Sequence, residues 1–234
     1  MEQLKFVEEA PVQMFINGTK HVTFMCTPSN LKELAVGYLH SSHACELELI
    51  ESVDICNETR QIHIKINGKL GSMRDVNAVL SSTAGSGLFT EDFRRQPAND
   101  SALTLNMGKA IELAKEMFDS AVLYKAHGAV HVSSLSDGEN LLVLMEDIGR
   151  HNSVDKIIGY ALLNNIDMTK CSIITSGRVP LDMILKAVNA RISILVSRST
   201  PSTLAYEVAV QKGITIVGRV LRDKEIFTHP HRIV

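Results

Sequence analysis

Hydrophobic and polar residues alternate in two short runs near the start of this chain. Apolar side chains recur at every second position in residues 12–16 and again in residues 21–25, and Asn17-Gly18 lies between the two runs. An Asn-Gly pair in that position is typical of a two-residue turn, so the pattern predicts a β-hairpin. A second β-rich stretch is predicted at residues 52–56 and 61–66.

The apolar spacing between these two β-rich stretches is helical. Thr27 and Pro28 predict the start of this helix, with Thr27 as the N-cap and Pro28 in the first helical position. One face of the helix is expected to be buried. That face comprises Leu31, Leu34, Ala35, Tyr38 and Leu39.

From residue 102 onward, strand-like and helix-like patterns alternate. The predicted helices cover residues 102–118, 153–163, 180–189 and 201–212. The predicted strands cover residues 129–133, 141–145, 172–175, 192–196 and 214–217. Repeated strand–helix units are typical of a three-layer α/β domain with a mixed, largely parallel sheet.

Residues 81–100 show neither the helical nor the strand spacing of apolar residues, and they are rich in Ser, Gly, Arg, Pro and Asn. This composition predicts a long loop and a domain boundary. We therefore expect a smaller β-rich α+β part over residues 1–100, which includes the loop, and an α/β domain over residues 101–234.

Three loops of the second half each follow a predicted strand and carry an arginine: Arg150, Arg178 and Arg198. The carboxyl ends of parallel strands meet at one edge of a sheet, where the N-termini of the following helices favour anions. Arginine binds anionic oxygens with a planar fork, and Arg219 follows the next predicted strand. The pattern predicts a site for phosphate or pyrophosphate, and hence a nucleotide-like ligand. The loops cover residues 146–152, 175–179 and 197–200.

Two simpler interpretations compete with a ligand site. Residues 146–156 would form a solvated loop and a first helical turn, with Asp155 and Lys156 on an exposed face. The serines of the other two loops would cap the helices that follow them. Capping does not explain the arginines, because an arginine near a helix N-terminus opposes the helix dipole at a cost of about a few tenths of a kcal/mol.

Composition excludes several classes of partner. The net charge is −2, from 24 basic and 26 acidic residues, which gives no broad basic surface for nucleic acid or membranes. No apolar run approaches the roughly 20 residues of a membrane span, and the first residues do not resemble a signal peptide. We expect a cytoplasmic protein that binds neither nucleic acid nor membrane.

The cysteines and histidines do not predict a metal site. The four cysteines form no C-x-x-C pair, and the histidines lack a third ligand at metal-site spacing, so we expect no zinc. Cys26, Cys56 and Cys171 are expected to be small buried hydrophobes. The P-loop and dinucleotide fingerprints are both absent, so the phosphate site must be of another type.

At residues 146–156 the chain resembles the formate dehydrogenase accessory sulfurtransferase family. The hallmark of that family, Glu-Asp-[Ile/Val]-Gly-Arg-His-Asn-x-[Val/Leu]-Asp-Lys, is matched throughout. The resemblance extends nearly from end to end of the chain. Further matches are Asn17-Gly18, Thr27-Pro28, Leu34-Ala-Val-Gly37, Ser176-Gly-Arg178, residues 194–199, Leu204-Ala205, Val217-Gly218 and Thr228-His-Pro230.

The resemblance implies a cytidine-deaminase-like fold, a homodimer, and a role with the molybdenum or tungsten bis-guanine-dinucleotide cofactor of formate dehydrogenase. GDP-like nucleotides would bind as fragments of that cofactor. The implied partners are formate dehydrogenase and a cysteine desulfurase, whose sulfur passes to the cofactor through a C-x-x-C loop. The implied cofactor-binding residues are Glu146, Asp147, Gly149, Arg150, His151, Asn152, Asp155, Lys156, Ser176, Gly177, Arg178, Ser197, Arg198, Ser199, Arg219, Val220, Leu221, Arg222, Asp223, Lys224 and His131.

The chain departs from the family pattern at the sulfur-carrying loop. Thr83 and Ser86 stand where the family has its two cysteines, and a hydroxyl cannot carry a persulfide. We therefore favour a cofactor-binding accessory protein that assists sulfuration or insertion. One alternative is a sulfurtransferase that uses another thiol, Cys45. The other is a nucleotide-directed hydrolase of deaminase-like fold, although the zinc motifs of such enzymes are absent.

Overall fold

The structure, a computed structural model, describes residues 6–42, 45, 47–68, 98–99 and 101–234, and the backbone of residues 78–80. Thr83 and Ser86, with most of the predicted loop 81–100, lie outside the described residues. The boundary at residue 100 stays a prediction. The strands of the first sheet all precede it and those of the second sheet all follow it.

The first sheet, sheet 1, has five strands within the described ranges, in the order β3-β4-β1-β2-β5. Its first two strands form the predicted hairpin, and Asn17 and Gly18 at the turn have φ values of 48° and 80°, as a primed turn requires. The second β-rich stretch is confirmed as an antiparallel pair, β3 with β4. The strands are β1 Ala10–Ile16, β2 Thr19–Cys26, β3 Ile50–Cys56, β4 Gln61–Ile66 and β5 Ala78–Leu80.

The second sheet, sheet 2, has six strands in the order β11-β10-β9-β8-β6-β7. β7, β8, β9 and β10 run in one direction, whereas β6 and β11 run in the other. A mixed α/β fold is therefore confirmed. The strands are β6 His131–Ser136, β7 Leu141–Asp147, β8 Ser172–Thr175, β9 Ile194–Ser197, β10 Thr215–Gly218 and β11 Glu225–Ile226.

Six α-helices lie in the described part of the chain. They are α1 Leu31–Ser41, α2 Met107–Ser120, α3 Val122–His127, α4 Arg150–Leu163, α5 Leu181–Asn189 and α6 Thr203–Lys212. Short 3₁₀ turns cover Leu47–Leu49, Met168–Lys170 and Pro230–Arg232. No helix among the described residues combines the length and the apolar character that crossing a membrane requires.

Sheet 2 is the middle layer of the larger core. Successive side chains of a strand point to opposite faces, so each face of the sheet packs against its own set of helices. Ile173 packs in the cluster formed with α4, α5 and α6, whereas its neighbour Ile174 packs in the cluster formed with α2. α1 packs on α4, and its other side, with Leu34 and Tyr38, covers the inner face of sheet 1.

α1 and α4 cross at two glycines. A Cβ atom at Gly37 would lie 1.9 Å from the backbone oxygen of Asp155, and one at Gly159 would lie 1.9 Å from that of Glu33. These neighbours are backbone atoms in regular helices, so they cannot rotate away as a flexible side chain would. The crossing therefore brings the two helix backbones into contact and requires glycine at both positions.

Two predicted helix starts lie well before the observed ones, and the start predicted at residue 153 lies after the observed start of α4 at Arg150. α1 begins at Leu31, after Asn30 with a φ of 52°, and not at Thr27-Pro28. Thr27 bonds instead to the loop after β7: its N–H donates to Asp147 Oδ2 at 3.2 Å, and its Oγ1 accepts the Ile148 N–H at 3.1 Å. These long-range bonds replace the predicted N-cap.

The predicted helix at 102–118 also begins later. Asn106 is the true N-cap, since its side chain accepts the Lys109 N–H at 3.1 Å, and α2 starts at Met107. Leu105 forms a β-bridge with Ile233, so this segment is extended and tied to the C-terminal residues. Pairing with a distant segment, which local spacing does not reveal, explains the difference.

Candidate functional site

The carboxyl ends of β7, β8, β9 and β10 lie along one edge of sheet 2. The three arginine-bearing loops therefore gather at this edge, together with the turn after β10. His131, the first residue of the oppositely directed β6, lies at the same edge beside Asp147. We refer to this region as the sheet edge.

Arg150 and Arg178 form a positive cluster at the sheet edge, and His131 lies beside them. The pKa of His131 is lowered first by burial and then by the charges of Arg150 and Arg178. Burial and the charge of Arg178 likewise lower the pKa of Arg150. Gly177 lies against this cluster, and a Cβ there would be 3.1 Å from the Cβ of Arg150. Mutual repulsion of this kind is what a bound anion relieves.

Asp182 is an acidic residue of this region that sequence reasoning missed. It lies in the first turn of α5, where burial raises its pKa and the charges of Lys186 and Arg150 oppose that shift. An acidic side chain in the first turn of a helix interacts favourably with the helix dipole. Because this role is common, nothing in the sequence indicated that Asp182 lies beside Arg150.

His151 is enclosed beneath the positive cluster. Its side chain is 6% exposed, and neither ring nitrogen has a hydrogen-bond partner among the described residues. Burial, followed by the charges of Lys186, Arg150 and His131, lowers its pKa to about 3. The ring is therefore neutral near pH 7, with one N–H donor and one acceptor unsatisfied. Each unsatisfied buried group costs about 1–3 kcal/mol.

A buried hydroxyl network supports the loop that carries Arg178. Ser133 Oγ lies 2.8 Å from Ser153 Oγ and 2.9 Å from Thr175 Oγ1, which accepts the Gly177 N–H at 3.2 Å. The network joins the first turn of α4, two strands and the loop. It fixes the backbone of this loop relative to the start of α4.

The capping interpretation of the loop serines was wrong. Ser176 Oγ accepts the Val132 N–H at 3.0 Å, and Ser197 Oγ donates to the Gly177 carbonyl at 2.7 Å. α5 begins after Pro180 without a side-chain cap, and Ser202 caps α6. The loop serines therefore connect loops and strands to one another. Ser197 also accepts the Ser199 N–H at 2.9 Å.

The solvated-loop interpretation was wrong as well, because two ion pairs of the hallmark segment are buried. Lys156 Nζ lies 2.6 Å from Asp147 Oδ2, and both side chains are fully enclosed. Lys186 Nζ lies 2.6 Å from Asp155 Oδ1, although burial still raises the pKa of Asp155. Asp147, Asp155 and Lys156 are thus internal supports of the sheet edge.

Asp147 also organises the turn that leads into α4. Its Oδ1 accepts the Gly149 N–H at 2.8 Å and the Asn152 side-chain amide at 3.0 Å. That amide also donates to the Met25 carbonyl at 2.9 Å. Asp147 and Asn152 therefore join the hallmark segment to the end of β2.

Glu146 projects to the opposite face of sheet 2 from Asp147. Its carboxylate accepts the N–H groups of Leu123 at 3.0 Å and Tyr124 at 2.7 Å, and so caps the start of α3. Arg198 lies on this face too. Its guanidinium contacts the Tyr124 hydroxyl and lies 5.5 Å from the centre of the Phe118 ring. The structure thus groups Arg150 with Arg178 and places Arg198 with aromatic side chains.

The segment 219–224 is a tight turn bonded to the loop after β9. The Arg219 N–H donates to the Ser199 carbonyl at 3.0 Å, and the Val220 N–H donates to the Ser197 carbonyl at 3.1 Å. Val220 is buried, whereas Arg219 is exposed and lies 3.7 Å from Asp223. The exposed members of the turn are Arg219, Leu221, Arg222, Asp223 and Lys224.

Three of the four thiols are buried. Cys45, the alternative sulfur acceptor, is 9% exposed in the core beneath sheet 1. Burial raises the pKa of Cys26 to about 12 and that of Cys171 to about 11. The prediction of a buried Cys56 was wrong, since it is partly exposed at the end of edge strand β3 and hydrogen bonds from Thr59 lower its pKa. Among the described residues, no group of three or more side chains has the arrangement of a metal site.

Comparison with known proteins decides the family. The sequence model of the FdhD/NarQ family matches residues 7–234. The chain belongs to the FdhD/NarQ family. It is 32% identical over 234 residues to sulfur carrier protein FdhD of Bacillus pumilus (strain SAFR-032). That alignment covers 97% of this chain and 89% of the relative. The FdhD of Bacillus subtilis (strain 168) is 30% identical over 236 residues, covering 98% of this chain and 90% of the relative.

A solved structure shares the fold of the whole chain. The crystal structure of a putative formate dehydrogenase accessory protein from Desulfotalea psychrophila superposes with a TM-score of 0.81 at 25% identity. The match covers 97% of this chain and 90% of that one. The resemblance inferred from the hallmark of the FdhD/NarQ family is therefore confirmed.

Proposed function

We propose that this chain serves the maturation of formate dehydrogenase by binding the molybdenum or tungsten bis-guanine-dinucleotide cofactor at the sheet edge. It would assist sulfuration of that cofactor or its insertion. Membership of the FdhD/NarQ family supports this role, because relatives are named sulfur carrier proteins and formate dehydrogenase accessory proteins. The same resemblance leads us to propose a cytoplasmic homodimer with formate dehydrogenase and a cysteine desulfurase as partners.

The observation that carries the proposal is the enclosed imidazole of His151. Its two nitrogens lack partners among the described residues, and it lies beneath Arg150 and beside His131. Buried polar groups in native proteins are nearly always satisfied, so a bound ligand with oxygen atoms at this position would complete the hydrogen bonding of the ring. A neutral imidazole donates one hydrogen bond to an anionic oxygen without adding charge.

The surroundings of His151 fit a phosphate or diphosphate. Arg150 and Arg178 supply two guanidinium forks, and hydrogen bonds to charged groups are worth roughly 1.5–3 kcal/mol each. α4 and α5 both begin at this edge without a side-chain cap, and the N-termini of helices favour anions. The guanine-dinucleotide cofactor would supply such a diphosphate when bound.

Titration calorimetry of the purified chain with GDP and with inorganic pyrophosphate tests the proposal. Arg178→Gln should weaken the binding of both ligands by about tenfold to a hundredfold, the equivalent of one lost charge-assisted contact. The matched control is Arg191→Gln, because Arg191 is also exposed but lies at the opposite end of β9. The proposal is wrong if the wild type binds neither ligand, or if the two variants bind equally well.

The sulfur-transfer alternative depends on a thiol. Thr83 and Ser86 lack one, and Cys45 is enclosed in the core, where a desulfurase cannot reach it without local opening. After incubation with a cysteine desulfurase and cysteine, we expect peptide mass analysis to find no added sulfur on residues 82–87. A persulfide on Cys45 that is lost in Cys45→Ala, together with formate dehydrogenase activation, would establish the alternative instead.

The hydrolase alternative has less support. Deaminases hold zinc with H-x-E and P-C-x-x-C motifs, and neither occurs in this chain. About one zinc per chain in elemental analysis of the purified protein would support the hydrolase interpretation.

A further inference from the structure

The edge of sheet 1 that β3 forms is open to a further strand. β3 pairs with β4 on one side, and no strand among the described residues pairs with its other side. An edge strand of this kind has backbone N–H and C=O groups available for pairing with another chain. A β-bulge between Ile50 and Ser52 interrupts only the start of β3, and the register from Val53 to Cys56 is regular. β3 contains no proline, so each of its residues keeps a backbone N–H.

A groove of about 330 Å³ lies beside this edge. Its lining comes from β3 and the 3₁₀ turn before it, from α1 and from the end of α4. Val36, Val53 and Leu162 contribute apolar surface to the lining. Leu163, the last residue of α4, also lines the groove and is 38% exposed. The groove therefore offers a place where apolar side chains of another segment would be removed from water.

The open edge and the groove suit the same ligand, an extended segment. A strand added to β3 would lie about 4.8 Å from it, and its side chains would point alternately to the two faces of sheet 1. One set would point to the face on which Val53 and Ile55 pack, and would there meet the groove. The other set would lie on the outer face, where Asp54 is exposed opposite His63.

The edge is acidic. Two lysines are nearby, Lys32 in the groove lining and Lys65 opposite Ser52, while Arg60 already pairs with Glu8. Against them stand four exposed acidic side chains in β3 and its flanking residues, none of which forms a salt bridge within the described ranges. These acids are Glu48, Glu51, Asp54 and Glu58.

This charge decides which kind of partner fits. A second copy of the chain would place the same acidic strand against itself, and like charges opposite one another destabilise a strand pair. Basic side chains facing Asp54 would instead form opposite-charge pairs across the two strands. The edge therefore matches a different chain, whose extended segment alternates apolar residues with lysine or arginine.

We propose that β3 and the groove form a docking site for such a segment of a partner protein, which adds to sheet 1 as a further strand. Strand addition is a recurring mode of peptide recognition, in which backbone hydrogen bonds supply affinity and alternate side chains supply specificity. The groove is at the opposite end of α4 from Arg150, about 20 Å away along the helix. Docking there goes beyond the proposed cofactor binding and leaves the sheet edge accessible.

Synthetic peptides test the match of charge and pattern. The probe is a fluorescein-labelled peptide of alternating lysine and valine, about six residues long, the usual length of a strand. In fluorescence anisotropy at low salt, a peptide of alternating glutamate and valine should bind the wild type at least about tenfold more weakly, because its acids would face those of the edge. A wild type that does not bind the lysine–valine peptide, or binds both peptides equally, overturns the proposal.

Two variants locate the peptide on the molecule. Asp54→Lys should weaken binding of the lysine–valine peptide by about fivefold to tenfold, and Leu163→Ser by about the same factor. Glu116→Lys is the control for the first variant, because it makes the same change in net charge at an exposed position of α2. Leu204→Ser is the control for the second, because Leu204 is an exposed leucine of α6. A loss that is equal in a variant and its control overturns the site.

Hydrogen exchange tests the backbone pairing. Saturation with the lysine–valine peptide should slow amide exchange in residues 50–56 and leave β11, the edge strand of sheet 2, unchanged. Peptide binding without protection of β3 overturns strand addition. Protection of residues 50–56 that arises without peptide, as the concentration of the wild-type chain is raised, would assign the edge to a second copy and overturn the proposal as well.

Discussion

Glu146 and Asp147 are adjacent carboxylates with separate structural roles, because neighbouring side chains of a strand point to opposite faces. Glu146 caps α3, whereas Asp147 pairs with Lys156 and binds the backbone of Thr27. Lys156 also donates to the Thr27 carbonyl at 3.1 Å. These residues form the frame of the sheet edge, where Arg150, His151 and Arg178 form the proposed phosphate site.

Removing one member of the buried ion pair should be costly. In Lys156→Met the carboxylate of Asp147 stays buried without its cation, and we expect the free energy of unfolding to fall by about 3–5 kcal/mol. Urea unfolding measures this change. Lys170→Met is the control, because Lys170 pairs with Asp167 at the surface and such pairs contribute about 0–1 kcal/mol. Equal losses in the two variants would contradict the assignment of Asp147 as an internal support.

The four thiols should differ in reactivity. Thiolates are the reactive form, and Cys56 combines partial exposure with a lowered pKa, whereas Cys26 is buried with a pKa raised to about 12. Brief alkylation of the native protein at pH 7 should therefore modify Cys56 first and leave Cys26 and Cys45 unmodified. Peptide mapping measures the order, and labelling in urea provides the control in which all four react. Early modification of Cys45 would contradict its burial.

The unusual density of charged residues in 146–156 was visible in the sequence, but their pairing was not. Asp147 pairs with Lys156, nine positions along the chain, and Asp155 pairs with Lys186 in the next helix. Local spacing does not specify such partners, so Asp155 and Lys156 resembled an exposed helix face. The same limit concealed Asp182, whose closeness to Arg150 depends on the packing of α5 beside α4.

At the scale of elements, the crossing of α1 and α4 decides how the two halves of the chain meet. Gly37 and Gly159 bring the helix backbones into contact, and Leu34 and Tyr38 of α1 then pack under sheet 1. The sequence predicted the buried face of α1. It did not predict the partner helix, because a glycine inside a helical pattern does not specify which backbone approaches it.

Adding a methyl group at this crossing should separate the helices. Gly37→Ala places Cβ 1.9 Å from a backbone oxygen, and overpacking of this kind costs about 1–3 kcal/mol or more. We expect a loss of at least about 3 kcal/mol in urea unfolding, at the upper end of that range. Gly108→Ala in α2 is the control: its Cβ would meet the side chain of Asn106 at 3.0 Å, and higher helix propensity offsets this contact. A smaller loss in Gly37→Ala than in Gly108→Ala would contradict the close crossing.

The longer strands and helices of the second half were predicted in order and type because each has a clear period. The short helix α3 and the short strand β11 were not predicted, and several helix starts depended on distant partners. Thr27 bonds to the loop after β7, and Leu105 bonds to the C-terminal segment. The gathering of the three arginine loops followed from strand direction alone. The separation of Arg198 from Arg150 did not, because it depends on the aromatic side chains of α2 and α3.

At the scale of the whole molecule, the hallmark segment links sheet 1, sheet 2 and α4. Thr27 and Met25, at the end of β2, bond to Asp147 and Asn152. The Asn189 side chain adds a further link at the end of α5, since its amide donates to the Ser41 carbonyl at 2.7 Å. The positive cluster is therefore built on a rigid frame that draws on both halves of the chain.

The free energy of unfolding should depend on pH through the histidines whose pKa is lowered by burial. Burial lowers the folded-state pKa of His21, His131 and His151, the last to about 3, so the unfolded chain binds protons that the folded chain does not. The stability that these neutral histidines contribute is fully present above about pH 6.5, the pKa of histidine in the unfolded chain. It is lost as the pH falls towards about 3. The free energy of unfolding should decline across this window, with a smaller decline in His151→Phe. His231→Phe, at an exposed position, is the control, and identical slopes for wild type and His151→Phe would contradict the burial of a neutral imidazole.

Cofactor binding at the sheet edge can be measured by native mass spectrometry of the chain purified from cells that make the guanine-dinucleotide cofactor. We expect a non-covalent adduct with the mass of that cofactor, retained in Arg191→Gln and lost or strongly reduced in Arg178→Gln. A wild-type chain that carries no such adduct, and takes up none when the cofactor is added, would contradict the claim that the sheet edge is a cofactor site.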